Sequence, residues 1–139
     1  MTDPELVAKK LALVETCVVE LRTIARPERM AHDVREERFV EHTLQIAIQA
    51  AQDVASHIVS DERFGEPRTN QELYRLLAKG GWIGEDLAAT MQRITGFRNV
   101  LVHGYDDVDL AIVHDAVEHG LDDLLEFVAV VRRRLTAAG

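Results

Sequence analysis

An arginine and a histidine stand five residues apart in the segment GFRNVLVHGYDDVD, residues 96–109. Arg98 is always charged, and its planar fork of donors suits a phosphate group. His103 can carry a proton near neutral pH. A phosphate-binding cation beside a general base is the minimal set of groups for cleaving RNA without a metal. The base takes the proton of the ribose 2′-hydroxyl, and the arginine stabilises charge developing on the phosphate oxygens.

The five-residue spacing places a geometric condition on this pair. On a regular helix of about 3.6 residues per turn, two such positions point about 140° apart. Arg98 and His103 therefore do not converge on one face of an unbroken helix. Two solutions are open. Either the helix loosens near Val102 to Gly104, which the glycine permits, or a second chain completes the site and supplies a second histidine as the general acid.

The elements that must position this segment have helical periodicity throughout. Apolar residues recur at spacings of three, four and seven, and no β-type alternation of useful length occurs. We expect an all-α, single-domain antiparallel bundle over residues 1–139, forming a C2 homodimer that buries further apolar surface. The predicted helices begin after Asp3-Pro4 and end at Pro27, begin near Glu28 to Asp33, begin near Thr69 or Asn70, run from about Glu85 toward Arg98, and begin after Asp107 or Asp109.

Composition limits the classes of function. The chain has 139 residues with 47% hydrophobic and 29% charged residues, as is typical of one soluble globular domain. A net charge of -8 argues against a protein that binds nucleic acid over its whole surface, but it permits a focused anion site. The single cysteine, Cys17, excludes an intrachain disulfide and a multi-cysteine zinc site, and we expect it in the core.

Targeting signals are not visible in the sequence. The N-terminal segment MTDPELVAKK lacks the apolar core of a signal peptide. No window approaches the roughly 18 apolar residues that a membrane span requires. A cytoplasmic protein without a membrane partner is therefore expected.

The segment FRNVLVHGY resembles the R-x4-6-H motif of HEPN-domain ribonucleases, and it matches the tighter R-N-x-x-x-H-x-Y form of HepT-like toxins. The likeness extends over about residues 1–135. ERFVEHTLQIAIQAAQDVASHIV resembles the long second helix of that family, and RTNQELYRLLAKGGWIGEDLAATMQRITGFRNVLVH resembles its third and fourth helices. DLAIVHDAVEHGLDDLLEFVAVV resembles the closing helix. A bare R-x4-H is a weak signal, whereas the full pattern before the last helix of an all-α domain is specific.

The resemblance implies roles for four residues. Arg98 and His103 match the catalytic pair, and Asn99 matches a polar residue that helps fix the motif's geometry. Tyr105 matches the tyrosine that a cognate minimal nucleotidyltransferase antitoxin adenylylates. The implied protein is the toxin of a type VII-like toxin–antitoxin pair. It would be a homodimeric, metal-independent endoribonuclease without a cofactor, acting on RNA such as tRNA or mRNA.

Other interpretations of these residues remain open. The chain could instead be a non-catalytic helical binding partner of a nucleotidyltransferase, or complete a transferase of the antibiotic-modifying type. Arg98 could pair with Glu85, with Asp106 or with a helix-end carbonyl, and His103 could cap the fourth helix. Tyr105 could lie in an interface or in the core.

Three further features are expected to be structural. Asp106, Asp107 and Asp109 look like a metal cluster, but we expect one helix cap and solvated turn residues. Trp82 is expected to anchor a loop rather than stack on a base. The run Arg132 to Arg134 is expected to be a helix-end charge cluster rather than a contact to an RNA backbone.

Overall fold

The computed structural model describes residues 2–103 and 109–138, with the backbone alone at residues 102, 103 and 138. The described part of the chain is 81% helical, with no strand and with five helices when the last two helical segments are counted as one, so the predicted all-α bundle is confirmed. The helices are α1 Pro4–Thr23, α2 Val34–Asp61, α3 Glu72–Lys79, α4 Glu85–His103, α5 Leu110–Asp115 and α6 Leu121–Ala138. A π-helical turn, Ala116–Gly120, joins α5 to α6, so these form one continuous final helix.

Aspartate caps set the starts of three helices. The Asp3 carboxylate accepts hydrogen bonds from the backbone N–H groups of Glu5 and Leu6 at 3.0 and 3.3 Å. Asp33 caps α2 in the same way. Asp109 accepts from the N–H of Ala111 at 2.9 Å, so Asp109 is a cap of the final helix, as predicted. Each such cap stabilises its helix by about 1 kcal/mol.

Helix α2 lies at the centre of the bundle and contacts α1, α3, α4 and α6. Its alanines allow close approach of the neighbouring helices, because small side chains leave little between the backbones. The core is otherwise built from Leu, Val and Ile, with Tyr74 and Phe127 packed edge-to-face at a centroid distance of 5.7 Å. The buried alanines of α2 are Ala47, Ala50, Ala51 and Ala55.

Two single residues lie where the sequence predicted. Trp82 is 4% exposed and holds the loop between α3 and α4, with the Arg134 guanidinium carbon 5.4 Å from its ring centroid. Cys17 is buried in α1, and that burial raises the pKa of its thiol to about 11. The thiol therefore stays protonated and serves as a small apolar core group.

The end of α4 lies beside the first half of α2. Ile94 and Phe97 of α4 line one cavity with Leu44 of α2, and Leu101 lines another with Val34. The two helices therefore run antiparallel. A reciprocal pair of amides also fixes α4 to the start of α3: each side chain of Gln71 and Gln92 donates to the other's backbone carbonyl at 3.1 Å. None of the described helices is long and apolar enough to cross a bilayer.

Candidate functional site

Arg98 occupies a core-facing position on α4. It continues a stripe of apolar residues at alternating spacings of four and three: Leu87, Met91, Ile94 and then Leu101 beyond it. The side chain is half-buried, and its Nε is buried without a hydrogen-bond partner among the described residues. Burying part of a charged group without a partner costs stability. This position therefore holds an arginine where packing alone would favour an apolar residue.

The interpretation of Arg98 as a structural arginine fails for one of its suggested partners. Glu85 begins α4 thirteen residues earlier, about 20 Å along the helix axis, which is beyond the reach of an ion pair. None of the ion pairs found in the described part of the chain includes Arg98. Asp106, the other suggested partner, lies outside the described residues.

The helix does not loosen before the histidine. Helix α4 continues as an α-helix to His103, through Val102. The positions of Arg98 and His103 therefore lie about 140° apart around the helix axis. Of the two solutions open from the sequence, loosening of the helix is not seen at residues 102 and 103, and Gly104 lies outside the described residues.

The structure describes the other predicted site residues to different extents. Asn99 is exposed beside Arg98 on α4. The backbone of His103 is described, but its side chain is not. Tyr105 and Asp107 lie outside the described residues. Among the residues that are described, no group of three or more His, Cys, Asp or Glu side chains could hold a metal ion.

A cleft of about 280 Å³ lies between α2, α4 and the final helix. Its floor is apolar and includes Phe97, the neighbour of Arg98. Its rim is charged: Arg93 and Asp115 face it from opposite helices, and the Arg93 guanidinium donates to the Thr90 hydroxyl at 3.1 Å. The cleft is lined by Leu44, Ile48, Thr90, Arg93, Ile94, Phe97, Ile112, Asp115, Ala116, His119, Gly120, Asp123 and Leu124. Sequence reasoning missed this cleft, because each lining residue alone has the pattern of a helix core or rim.

A second cavity lies between the start of α2 and Leu101 near the end of α4. Glu41 and His42 line it, together with Arg38 and Glu37. Burial raises the pKa of Glu41, repulsion by Glu37 raises it further, and Arg38 partly offsets both. Polar groups able to bind or exchange protons therefore lie along α2 beside the end of α4.

Exposed apolar side chains surround the same end of the molecule. Val34 at the start of α2 is 61% exposed, Val100 near the end of α4 is 47% exposed, and Ile112 in α5 is 51% exposed. These three helix ends flank residues 98–103. An apolar surface around a polar motif is typical of a contact between subunits.

The family model for HepT-like ribonucleases matches residues 14–131. An mRNA nuclease HepT of Shewanella oneidensis is 26% identical over 129 residues, which cover 92% of this chain and 97% of that protein. A tRNA nuclease HepT of Aphanizomenon flos-aquae is 33% identical over 100 residues, covering 72% of this chain and 68% of that protein.

A solved structure has the same fold. The tri-AMPylated HEPN toxin of Shewanella oneidensis in complex with an MNT antitoxin superposes with a TM-score of 0.85 at 27% identity, covering 96% of this chain and 99% of that one. The family match includes Arg98, Asn99, His103 and Tyr105 and spans well over half of the chain. The chain therefore belongs to the family of HepT-like ribonucleases.

Proposed function

We propose that this chain is the toxin of a type VII-like toxin–antitoxin pair, a metal-independent endoribonuclease that acts as a homodimer. The observation that carries the proposal is Arg98, held at a core-facing position of α4 with its Nε unpartnered among the described residues, inside the segment that matches the family. Because the Arg98 side chain as a whole is only half-buried, the rest of its guanidinium can be reached by a phosphate supplied from outside the chain.

The proposed reaction needs two proton transfers. His103 takes the proton of a ribose 2′-hydroxyl, and the 2′-oxygen attacks the neighbouring phosphorus. Arg98 stabilises the charge that develops on the non-bridging oxygens. The 5′-oxygen leaves and takes a proton from the partner subunit's His103, so the products are a cyclic 2′,3′-phosphate and a 5′-hydroxyl. Neither step requires a metal, and Asn99 supports the motif from its exposed position beside Arg98.

Two observations support the homodimer. Arg98 and His103 lie on different sides of one regular helix, so a single α4 does not bring them together. The exposed Val34 and Val100 lie beside the motif and would be covered by a second copy. A two-fold contact would then set the Arg98 of one subunit and the His103 of the other on the walls of one cleft.

RNA is the proposed substrate, and the net charge of -8 limits how it binds. A surface of this charge repels RNA phosphates in general, so contact is confined to the proposed cleft between the subunits that holds Arg98. Two relatives are named as nucleases of mRNA and of tRNA, which fits either RNA class as the target. A cytoplasmic location would give access to both.

Tyr105 is the proposed site of adenylylation by a minimal nucleotidyltransferase antitoxin. The chain has two tyrosines. The other, Tyr74, is fully buried, and burial raises the pKa of its hydroxyl, so it is closed to an enzyme. Each AMP added to Tyr105 would place bulk and a negative phosphate two residues from His103. That phosphate would occupy Arg98 and repel the RNA backbone.

A second function is favoured by the solved relative, which is a complex with an MNT antitoxin. In this alternative the chain is a non-catalytic helical partner of a nucleotidyltransferase. It predicts stable co-purification with the nucleotidyltransferase and no cleavage of RNA. The two functions therefore differ in a single assay of RNA cleavage by the isolated chain.

The deciding experiment measures cleavage of end-labelled tRNA and mRNA by the isolated chain with and without EDTA. We expect cleavage to survive EDTA and to disappear in Arg98→Ala and His103→Ala. Full activity of His103→Ala would remove the proposed base, and loss of activity with EDTA would point to a metal. Intact mass after incubation with the nucleotidyltransferase and ATP tests the switch, since Tyr105→Phe should gain no AMP.

A further inference from the structure

The cleft between α2, α4 and the final helix has a wall of small residues. Ala116 and Gly120 are one turn apart in the π-helical turn, and both line the cleft. Insertion of a π turn widens a helix locally, and such turns are frequent at functional sites. The turn therefore shapes the wall on the side opposite Phe97 and Ile94.

Packing within the chain does not explain the glycine of this wall. A Cβ added to Gly120 would meet no heavy atom within 4 Å. Glycine within a helix is less stable than alanine, because its backbone loses more freedom on folding. An added Cβ at Gly120 would thus meet no side chain of the chain's own core, and Gly120 is one of the residues that line the cleft.

The charge of the final helix limits what can enter. Its first part, residues 109–126, contains six carboxylates and neither lysine nor arginine: Asp109, Asp115, Glu118, Asp122, Asp123 and Glu126. Asp115 and Asp123 line the cleft itself, together with the guanidinium of Arg93 and the imidazole of His119, whose Nε2 is 3.7 Å from the Asp115 carboxylate. Asp122 is already paired with Arg22 on α1.

This charge disfavours two of the possible occupants. RNA phosphates would meet the carboxylates of Asp115 and Asp123. A second copy placed here by a two-fold axis would bring four rim carboxylates together with only two Arg93 guanidinium groups, so negative charge would be in excess. A protein segment with lysine or arginine beside an apolar side chain fits both the rim and the floor.

We propose that this cleft docks such a basic, apolar segment of the nucleotidyltransferase that modifies Tyr105. The inference rests on the proposed function and identifies the surface of this chain that binds the nucleotidyltransferase. Phe97 lies eight residues before Tyr105 and Ile112 lies seven residues after it, so the cleft lies between the two helices that lead to and from the tyrosine. An enzyme bound here is held beside its target.

The test measures the affinity of the purified cognate nucleotidyltransferase for variants of the full chain. Ala116→Leu fills the cleft, and Asp115→Lys reverses a rim charge on an exposed side chain. We expect each substitution to raise the Kd by a factor of about ten or more. Added salt should weaken binding of the parent more than binding of Asp115→Lys, because the rim charge acts through the solvent.

Matched controls carry the same substitutions elsewhere. Ala129→Leu lies on an exposed face of the same final helix, and Glu66→Lys lies in an exposed loop. Both should bind within about twofold of the parent. RNA cleavage by Asp115→Lys without the nucleotidyltransferase should match the parent, because the rim is not part of the reaction.

Several results would overturn the docking surface. Unchanged affinity in both cleft variants, or no binding of the parent, would do so directly. Loss of the homodimer in light scattering with unchanged affinity would assign the cleft to a second copy. Loss of RNA cleavage with unchanged affinity would assign it to RNA. Failure of the parent to gain AMP at Tyr105, with affinity still lost in the cleft variants, would instead refute the switch and keep the docking surface.

Discussion

Arg132 and Arg98 are the same residue type in two different settings. Arg132 lies near the end of α6 and donates to both carboxylate oxygens of Glu15 on α1, at 2.7 and 3.1 Å. This pair lowers the pKa of Glu15 and raises that of Arg132. Both side chains are about half exposed, so the pair joins two helices at the surface without burying a charge.

Arg98 has the opposite arrangement. It lies on the core-facing stripe of α4, its Nε is buried, and no described residue accepts a hydrogen bond from that atom. Arg132 makes two hydrogen bonds within the fold, whereas no described residue accepts a hydrogen bond from the Nε of Arg98. The comparison separates an arginine that holds two helices together from one that the fold maintains at a cost to its own stability.

The largest expected difference between the two arginines is in catalysis. Arg98→Lys keeps the charge but loses the planar fork of donors that binds a phosphate. We expect kcat/KM for RNA cleavage to fall about 100-fold or more, as when one donor to a developing oxyanion is removed. Cleavage of a labelled RNA measures this.

Arg132→Lys is the matched control, and its activity should stay within about twofold of the parent. An equal loss in both variants would mean that the substitutions act through general stability. Full activity in Arg98→Lys would mean that a point charge is sufficient and that the planar fork plays no part.

The next effect is on stability and has opposite signs at the two positions. Arg98→Met places an unbranched apolar side chain of similar length on the core-facing stripe. It should raise the free energy of unfolding by about 1 kcal/mol, because a buried donor without a described partner is removed. Arg132→Met should lower it by up to about 1 kcal/mol, because an exposed ion pair is lost. Denaturant midpoints give both values.

A large destabilisation by Arg98→Met would contradict this comparison. It would mean that Arg98 has a partner outside the described residues, with Asp106 the first candidate. A Val100→Met variant controls for the added methionine, because Val100 is on the same helix and is 47% exposed.

Much of the fold follows from local chemistry. Asp3 and Asp33 start helices because a carboxylate can accept the free N–H groups of a first turn, which is visible in the sequence alone. The periodic apolar stripes then give the faces that pack. The fourth helix was predicted only toward Arg98, yet it extends to His103, because Asn99 to Val102 contain neither glycine nor proline to stop it.

The site follows from the sequence only in part. The spacing of Arg98 and His103 already shows that one regular helix cannot bring them together. No sequence pattern indicates the cleft, because Ile48, Phe97 and Ala116 are distant in sequence and meet only when three helices pack. The π turn also has no clear local signature, since its residues continue the apolar spacing of the final helix.

The smallest expected effect is the pH dependence of the stability that each arginine contributes. The hydrogen bond from Arg132 lowers the pKa of Glu15 from 4.5. A carboxyl with a lowered folded pKa stabilises the fold above its unfolded pKa, and that stabilisation is lost as pH falls through the folded pKa. The stability difference between the parent and Arg132→Met, up to about 1 kcal/mol at neutral pH, should therefore shrink toward zero as the pH falls through the lowered pKa of Glu15.

Arg98 provides the contrast for this titration. If no carboxylate holds it, the stability difference between the parent and Arg98→Met should not change over the same acid range. Urea unfolding at neutral pH and at about pH 3 measures both differences. An acid-dependent change for Arg98→Met would show that a carboxylate pairs with Arg98. The distinction between the two arginines would then be one of burial rather than of availability to RNA.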